Sequence, residues 1–214
     1  MLPTQLTLSE IHQVTRATLA ALKQLGMQGY LVGGVACQIY GTSRVPNDID
    51  VVVLTEETQE EIKRGLVATD PRFYLVAAKT PGATYKVLWY KISSDLHLYS
   101  RRSCKVDILR TGIMDIPPVP TSRFVYRTPS DIPIMPFMPL LLLKLQAWTH
   151  HRMALKQYLV DKQHVDVRDI EQLLRIGAQM GGSVESESWL PASFVSVART
   201  RVEGFVAKFP DTAR

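Results

Sequence analysis

The chain has 214 residues, with 25 Lys and Arg against 20 Asp and Glu and a net charge of +5. Apolar residues make up 46% and charged ones 21%, which excludes a disordered or fibrous chain and fits one folded domain, or one domain with an appendage. Only two cysteines occur, Cys37 and Cys104, each in apolar context, so buried thiols are expected rather than a disulfide framework.

In chain order, Thr7 and Glu10 have the spacing of a capping box, and Ile11, Val14, Ala21, Leu22 and Leu25 follow at helical spacing. Thr18 interrupts that stripe, and Gly26 and Gly29 end the helix. "YLVG" reads as a short buried strand and "VACQIYG" as a two-turn helix closed by Gly41. "DIDVVVL" is a predicted strand and "EETQEEIKRGLVAT" a charged surface helix. "FYLVAA" and "YKVLWYKI" are predicted strands joined by a "TPGA" turn, and "CKVDILR" is another strand. Prolines then crowd between positions 117 and 139, predicting a linker or wrapping segment without regular structure. Beyond it, one helix is expected from Leu140 to about Tyr158, a second from about Val165 to Met180, and a third from Ala192 to Phe209. The most apolar run, "PFMPLLLLKLQAW", carries Lys144 and falls short of the ~20 residues of a membrane span. The N-terminal segment lacks a secretory pattern, so a cytoplasmic location without membrane contact is expected.

The chemistry is expected in "LVGGVACQIYGTSRVPNDIDVVV", residues 31–53. Residues two apart in a strand point the same way, so Asp48 and Asp50 project from one face while Ile49 and Val51 pack behind. Asp107 sits amid another apolar strand. If the two strands are neighbours, three carboxylates converge, and they repel unless a divalent cation lies between them. Hard oxygen donors suit Mg²⁺ or Mn²⁺, and two such ions about 3.5–4 Å apart clamp an in-line nucleotidyl displacement. Gly33 and Gly34, between a strand and a helix, let backbone N–H groups approach an anion, and Arg44 offers a charge for a phosphate oxygen.

Charge is unevenly distributed. Residues 101–128 hold six basic side chains (Arg101, Arg102, Lys105, Arg110, Arg123, Arg127) against Asp107 and Asp115. This stretch reads either as a solvated face or as a surface for a polyanion such as a triphosphate or RNA.

A Gly-Gly turn, thirteen intervening residues, then "DIDVVV" and a later "KVDIL" resemble the nucleotidyltransferase superfamily with the DNA polymerase beta fold. The flavour is that of the AbiEii-like and minimal nucleotidyltransferases, although Pro46 stands where that pattern has Ser or Thr. The resemblance implies an α+β fold: a mixed-sheet nucleotidyltransferase core over residues 1–128, then a Pro-rich connection and helical subdomain over residues 129–214. It implies Mg²⁺-dependent transfer of a nucleotidyl group from an NTP to an acceptor hydroxyl, with release of pyrophosphate. Asp48, Asp50 and Asp107 would be catalytic and metal-binding, and Gly33, Gly34, Arg44 and Lys144 would bind the nucleotide. Lys144 also stands out because a lysine in an apolar helix must snorkel to water or meet an anion.

In that family an arginine and a K-D-x-x-D-[LI] motif follow the lysine. Here Arg152, Asp166, Asp169 and Ile170 occupy those places, with Val165 replacing the motif's lysine. Asp169 reads equally as a helix-start residue. His150 and His151 diverge by about 100° on a helix and are expected to be solvated. The acceptor stays open among RNA, protein and a small molecule. The rival reading is a non-catalytic nucleotide- or partner-binding module on the same fold, and a toxin- or antitoxin-like protein acting through a partner chain is a third.

Overall fold

The computed structural model describes residues 5–80, 82–92, 102–181 and 183–213. Helix α1 (Leu8–Gln24) opens on the expected capping box: Thr7 Oγ1 accepts from the Glu10 amide, and the Glu10 carboxylate accepts from the Thr7 amide. Thr18, the interruption of its apolar stripe, is buried and donates its hydroxyl to the Val14 carbonyl at 2.8 Å, so the polar atom is satisfied inside the core. Strand β1 (Gln28–Val32) leads directly into α2 (Gly33–Tyr40), so the glycine pair is the first turn of that helix rather than the end of a strand. Strand β2 (Asp48–Leu54) matches the expected segment. Helix α3 (Gln59–Thr69) starts later than expected, because Thr58 caps it by bonding the Glu61 amide. Strands β3 (Phe73–Ala77), β4 (Lys86–Lys91) and β5 (Ser103–Arg110) complete the first half.

The Pro-rich stretch departs from expectation. It contributes two short strands, β6 (Val125–Tyr126) and β7 (Pro133–Ile134), and β7 pairs in parallel with β1 through Leu31 and Ile134. A proline at the start of a two-residue strand loses little ladder, which is why proline density did not prevent pairing here. The sheet therefore has seven strands in the order β3-β4-β5-β2-β1-β7-β6 and extends past residue 128. Both parallel and antiparallel pairs occur, so it is a mixed sheet in an α+β fold.

Helices α1 and α3 pack on the sheet and on each other, while α2 lies against β1 and β2 and meets the C-terminal helices. Those helices are α4 (Phe137–Arg152), α5 (Gln157–Met180) and α6 (Ala192–Lys208). The chain breaks at Met153 rather than running to Tyr158, and α5 begins about two turns before Val165. Its first turns are mostly exposed, so they carry no apolar stripe by which to recognise them. Trp148 anchors the bundle, with Phe205 edge-on at 4.9 Å and the Arg152 guanidinium 4.4 Å from its ring centre. Burial of about 1.5–3 kcal/mol per large apolar side chain holds these layers together. Both cysteines are free and buried. Among the described residues, no helix is long and apolar enough to cross a membrane.

Candidate active site

Strands β2 and β5 are parallel neighbours, and their register sets Asp50 directly across from Asp107 and Asp48 across from Lys105. Ile49, Val51 and Val106 are buried at alternate positions, which turns Asp48, Asp50, Lys105 and Asp107 together toward a cleft. Burial, then the charges of Asp48 and Asp107, push the Asp50 carboxyl up to about 7. Lys105 supplies one cation: its Nζ donates to Asp107 Oδ2 at 2.5 Å. Burial disfavours that ammonium, but the bond to Asp107 and the charges of Asp107, Asp48 and Asp50 outweigh it and hold its pKa above the ordinary lysine value. Among the described residues, no three His, Cys, Asp or Glu side chains stand already gathered in a metal-binding arrangement. Asp107 has turned toward Lys105 instead.

The glycine turn serves this cluster in a way the sequence did not disclose. Gly33 has φ +60°, which L-residues rarely adopt, and a Cβ there would collide with an oxygen of Asp50 and lie 2.8 Å from its Cγ. The Asp50 carboxylate thus occupies the space that a side chain at 33 would fill. At Gly34 a Cβ would come to 3.2 Å from Arg44 Nη2 and from Pro46 Cβ, a tight but smaller intrusion. Val32, which caps α2, makes no side-chain bond to the first-turn amides. They lie at the cleft, with the helix's partial positive charge behind them.

Arg44 and Lys144 also line the cleft, yet neither is an idle cation. Both converge on Asp169: Arg44 Nη2 bonds Oδ2 at 2.9 Å and Lys144 Nζ bonds the same oxygen at 2.8 Å. Asp169 is 1% exposed and sits midway along α5, not at a helix start. Burial raises its pKa, but the two cations prevail and hold it below the usual carboxylate range. Lys144 meets an anion of the protein itself, and burial of its own charge is outweighed by Cys37, by Asp169 and its hydrogen bond, and by Asp166, so its pKa rises. Asp166, also buried, is hydrogen-bonded to His151 Nδ1 at 2.5 Å and lies 3.9 Å from Lys144. His151 is therefore not a solvated histidine. One helical signal pointed this way: Asp166 and Asp169 lie three apart on the stripe that carries Ile170 and Leu173, and all four are buried.

The cleft encloses about 680 Å³ between the sheet and α4–α5. Its lining combines the carboxylates and glycines with apolar Leu109, Ile116, Leu143 and Ala147 and with His150, His151 and Lys162. Met114 lines it from a loop in which Met114 (φ 54°) and Asp115 (φ 56°) are both left-handed non-glycine residues. Gln146 holds that loop by donating to the Met114 carbonyl at 2.6 Å, and Arg201 bonds both Gln146 and Asp115. Among the described residues, the basic stretch does not gather into one groove. Arg102 pairs with Glu10, Arg110 approaches Glu56, Arg123 stands over Trp189 and Arg127 over Tyr40, while Lys105 points into the cleft. Arg101 lies outside the described residues.

No protein-family model matches the chain, and no curated protein sequence matches it. Among solved structures, it is similar to an antigenic nucleotidyltransferase-like protein from Paracoccidioides brasiliensis, at 15% identity and a TM-score of 0.66, over 96% of this chain and 91% of that one. Two structures of ANT(2'')-Ia also align. One, in complex with adenylyl-2''-tobramycin, is 11% identical, with a TM-score of 0.41 over 78% of this chain and 94% of that one. The other, a solution structure, is 14% identical, with a TM-score of 0.45 over 95% of each chain. The fold is that of nucleotidyltransferase-like proteins.

Proposed function

We propose that the chain is a divalent-metal-dependent nucleotidyltransferase that moves an NMP from an NTP to an acceptor hydroxyl. The observation that carries this reading is the register of β2 on β5, which gathers Asp48, Asp50 and Asp107 in the lining of one cleft, with Asp50 beside a glycine turn. Solvated or edge carboxylates would have no need of a glycine whose missing side chain makes room for one of them.

The donor set fits Mg²⁺ or Mn²⁺. All three carboxylates offer hard oxygens on neighbouring strands, with Asp50 set across from Asp107 and seated against the glycine turn. Asp48 and Asp50 would hold the ion, and Asp107 would join them on release from Lys105. A divalent ion there supplies Lewis acidity to the phosphoryl oxygens. The protein's own groups do the rest. Backbone N–H groups at Gly33 and Gly34 face the phosphates from the N-terminus of α2. Arg44, with Nη1 outside its bonds to Asp169, orients a phosphate oxygen, and Asp169 keeps that guanidinium in place. Lys144 adds positive potential but is tethered by Asp169, so it shapes the field more than it grips a phosphate. The acceptor hydroxyl loses its proton toward Asp107, its oxygen bonds the α-phosphorus, and the bond to the bridging oxygen breaks with pyrophosphate as leaving group. Apolar Leu109, Ile116, Leu143 and Ala147 line the same cleft and would limit water around the reacting atoms.

The test is incubation with each α-labelled NTP, Mg²⁺ or Mn²⁺ and cell extract, in wild type and Asp50→Asn. Label transferred by wild type alone supports the reading, and its sensitivity to RNase or protease assigns the acceptor to RNA, protein or a small molecule. NTP binding without any transfer would favour a non-catalytic nucleotide-binding module.

A further inference from the structure

His150, His151 and Lys162 line the cleft, and the chemistry at Asp48, Asp50 and Asp107 makes no use of them. Helix α4 carries Lys144 and His151 seven residues apart, so they share a face and lie about 10 Å apart along the axis. Helix α5 meets α4 at His151, whose Nδ1 is bonded to the buried Asp166 at 2.5 Å. That bond engages one ring nitrogen and leaves Nε2 to meet a ligand, on a side chain that is one-quarter exposed. Lys162 stands one turn before Asp166 on α5, and His150 adjoins His151 on α4. Among the described residues, the side chains of His150 and Lys162 have no ion pair or hydrogen bond. Asp166, on the helix face of Lys162, is taken by His151 and lies 3.9 Å from Lys144.

An uncommitted ammonium and two imidazoles around one His–Asp bond, all lining a cleft, suit an anion. The phosphates of the NTP are met elsewhere, by the amides of the glycine turn and by Arg44, which shares Asp169 with Lys144. The second basic set lies two turns of α4 beyond Lys144. A cleft of about 680 Å³ has the size of a small-molecule site. Among the described residues, Arg102 and Arg110 are turned to Glu10 and Glu56, so the basic stretch does not continue these charges into a track for a polymer. On the nucleotidyltransferase reading, on which this inference rests, we infer that the acceptor is a small molecule bearing a phosphate monoester, held by Lys162, His150 and His151 while its hydroxyl meets the α-phosphorus. The phosphate undergoes no bond change; it binds and orients the acceptor.

The test reads the acceptor and the subsite separately. The small-molecule fraction of a cell extract is treated with alkaline phosphatase, cleared of it by ultrafiltration, and offered to wild type with α-labelled NTP and Mn²⁺. Phosphatase should remove most of the labelling seen with the untreated fraction. Equal labelling, or label found only in product sensitive to RNase or protease, overturns the inference and leaves nucleotidyl transfer standing; no labelling of any fraction overturns both. In the second arm, the imidazole Cε1–H resonances are followed by NMR, with a saturating NTP analogue whose α,β-bridge is methylene, as inorganic phosphate is added. Those assigned to His150 and His151 through His→Gln variants should shift saturably. Lys162→Met should weaken phosphate binding about tenfold, the loss of one charged hydrogen-bond partner, and leave the Kd of the analogue unchanged. Histidines unmoved by phosphate, or a Lys162→Met protein that loses affinity for the analogue instead, overturn the inference, the latter by showing that these groups serve the NTP.

Discussion

Replacing Gly33 by alanine tests the tightest relation in the site. Two costs add. An L-residue at φ +60° costs about 1–2 kcal/mol. The added Cβ also meets the Asp50 carboxylate, whose Cγ would be 2.8 Å away, and moving that side chain off its rotamer costs about 0.5–1.5 kcal/mol. Gly33→Ala should thus lose about 1.5–3.5 kcal/mol, or about 3–14 °C in Tm at the roughly 2–4 °C per kcal/mol of a chain this size. Gly34→Ala is the control. Its Cβ contacts begin at 3.2 Å, and an alanine in a helix gains about 0.5–1 kcal/mol over glycine, so its Tm should hardly move. Thermal melts with and without Mn²⁺ separate stability from site integrity. At an ion concentration a hundredfold above Kd, wild type gains about 2.7 kcal/mol. Gly33→Ala should lose most of that increment because Asp50 is displaced, and Gly34→Ala should keep it. A Gly33→Ala protein with wild-type Tm and full Mn²⁺ response would refute the claim that the turn exists to seat Asp50.

Asp169→Asn should cost about 3–5 kcal/mol in urea unfolding, since it leaves the buried Lys144 and its partner Arg44 undercompensated; a loss below about 1 kcal/mol would show the network to be dispensable. The pKa of Asp169 is depressed in the folded state, so the stability it contributes is present above its ordinary value of 3.8 and is lost as pH falls through the lower folded value. Urea midpoints measured from neutral pH downward should therefore fall more steeply in wild type than in Asp169→Asn. Met114→Gly should relieve left-handed strain and raise stability by about 1 kcal/mol, read as a higher Tm, and a drop would show that the methionine's contacts outweigh its backbone cost. Asp48→Asn should abolish the Mn²⁺-dependent rise in Tm while leaving or raising metal-free stability, because it removes one of three repelling charges; an undiminished rise would remove Asp48 from the site.

Local pattern determined much of this protein. The capping box at Thr7, the alternation of "DIDVVVL" and "CKVDILR", and the breaks at Gly26 and Gly41 are short-range signals. Each follows from one turn of helix or one pleat of strand, and together they placed most helices and strands. They also put Asp48 and Asp50 on one face, because that needs only period-two geometry. Which strand lies beside which is not a local property. Only the parallel pairing of β2 with β5 set Asp107 across from Asp50 and turned Lys105 from a member of a basic stretch into the counter-ion of Asp107. The same limit applies to Asp169. A carboxylate in a helix reads as solvated or as a cap until the tertiary structure brings Arg44 from a loop 125 residues away and Lys144 from the preceding helix onto its two oxygens. His151 was misread for that reason too, since its partner Asp166 lies on the next helix. Sequence periodicity reports which side of an element is apolar. Where a charge finds its partner depends on the packing of elements distant in the chain, and in this protein the cost of burying unpaired charge is what that packing resolves.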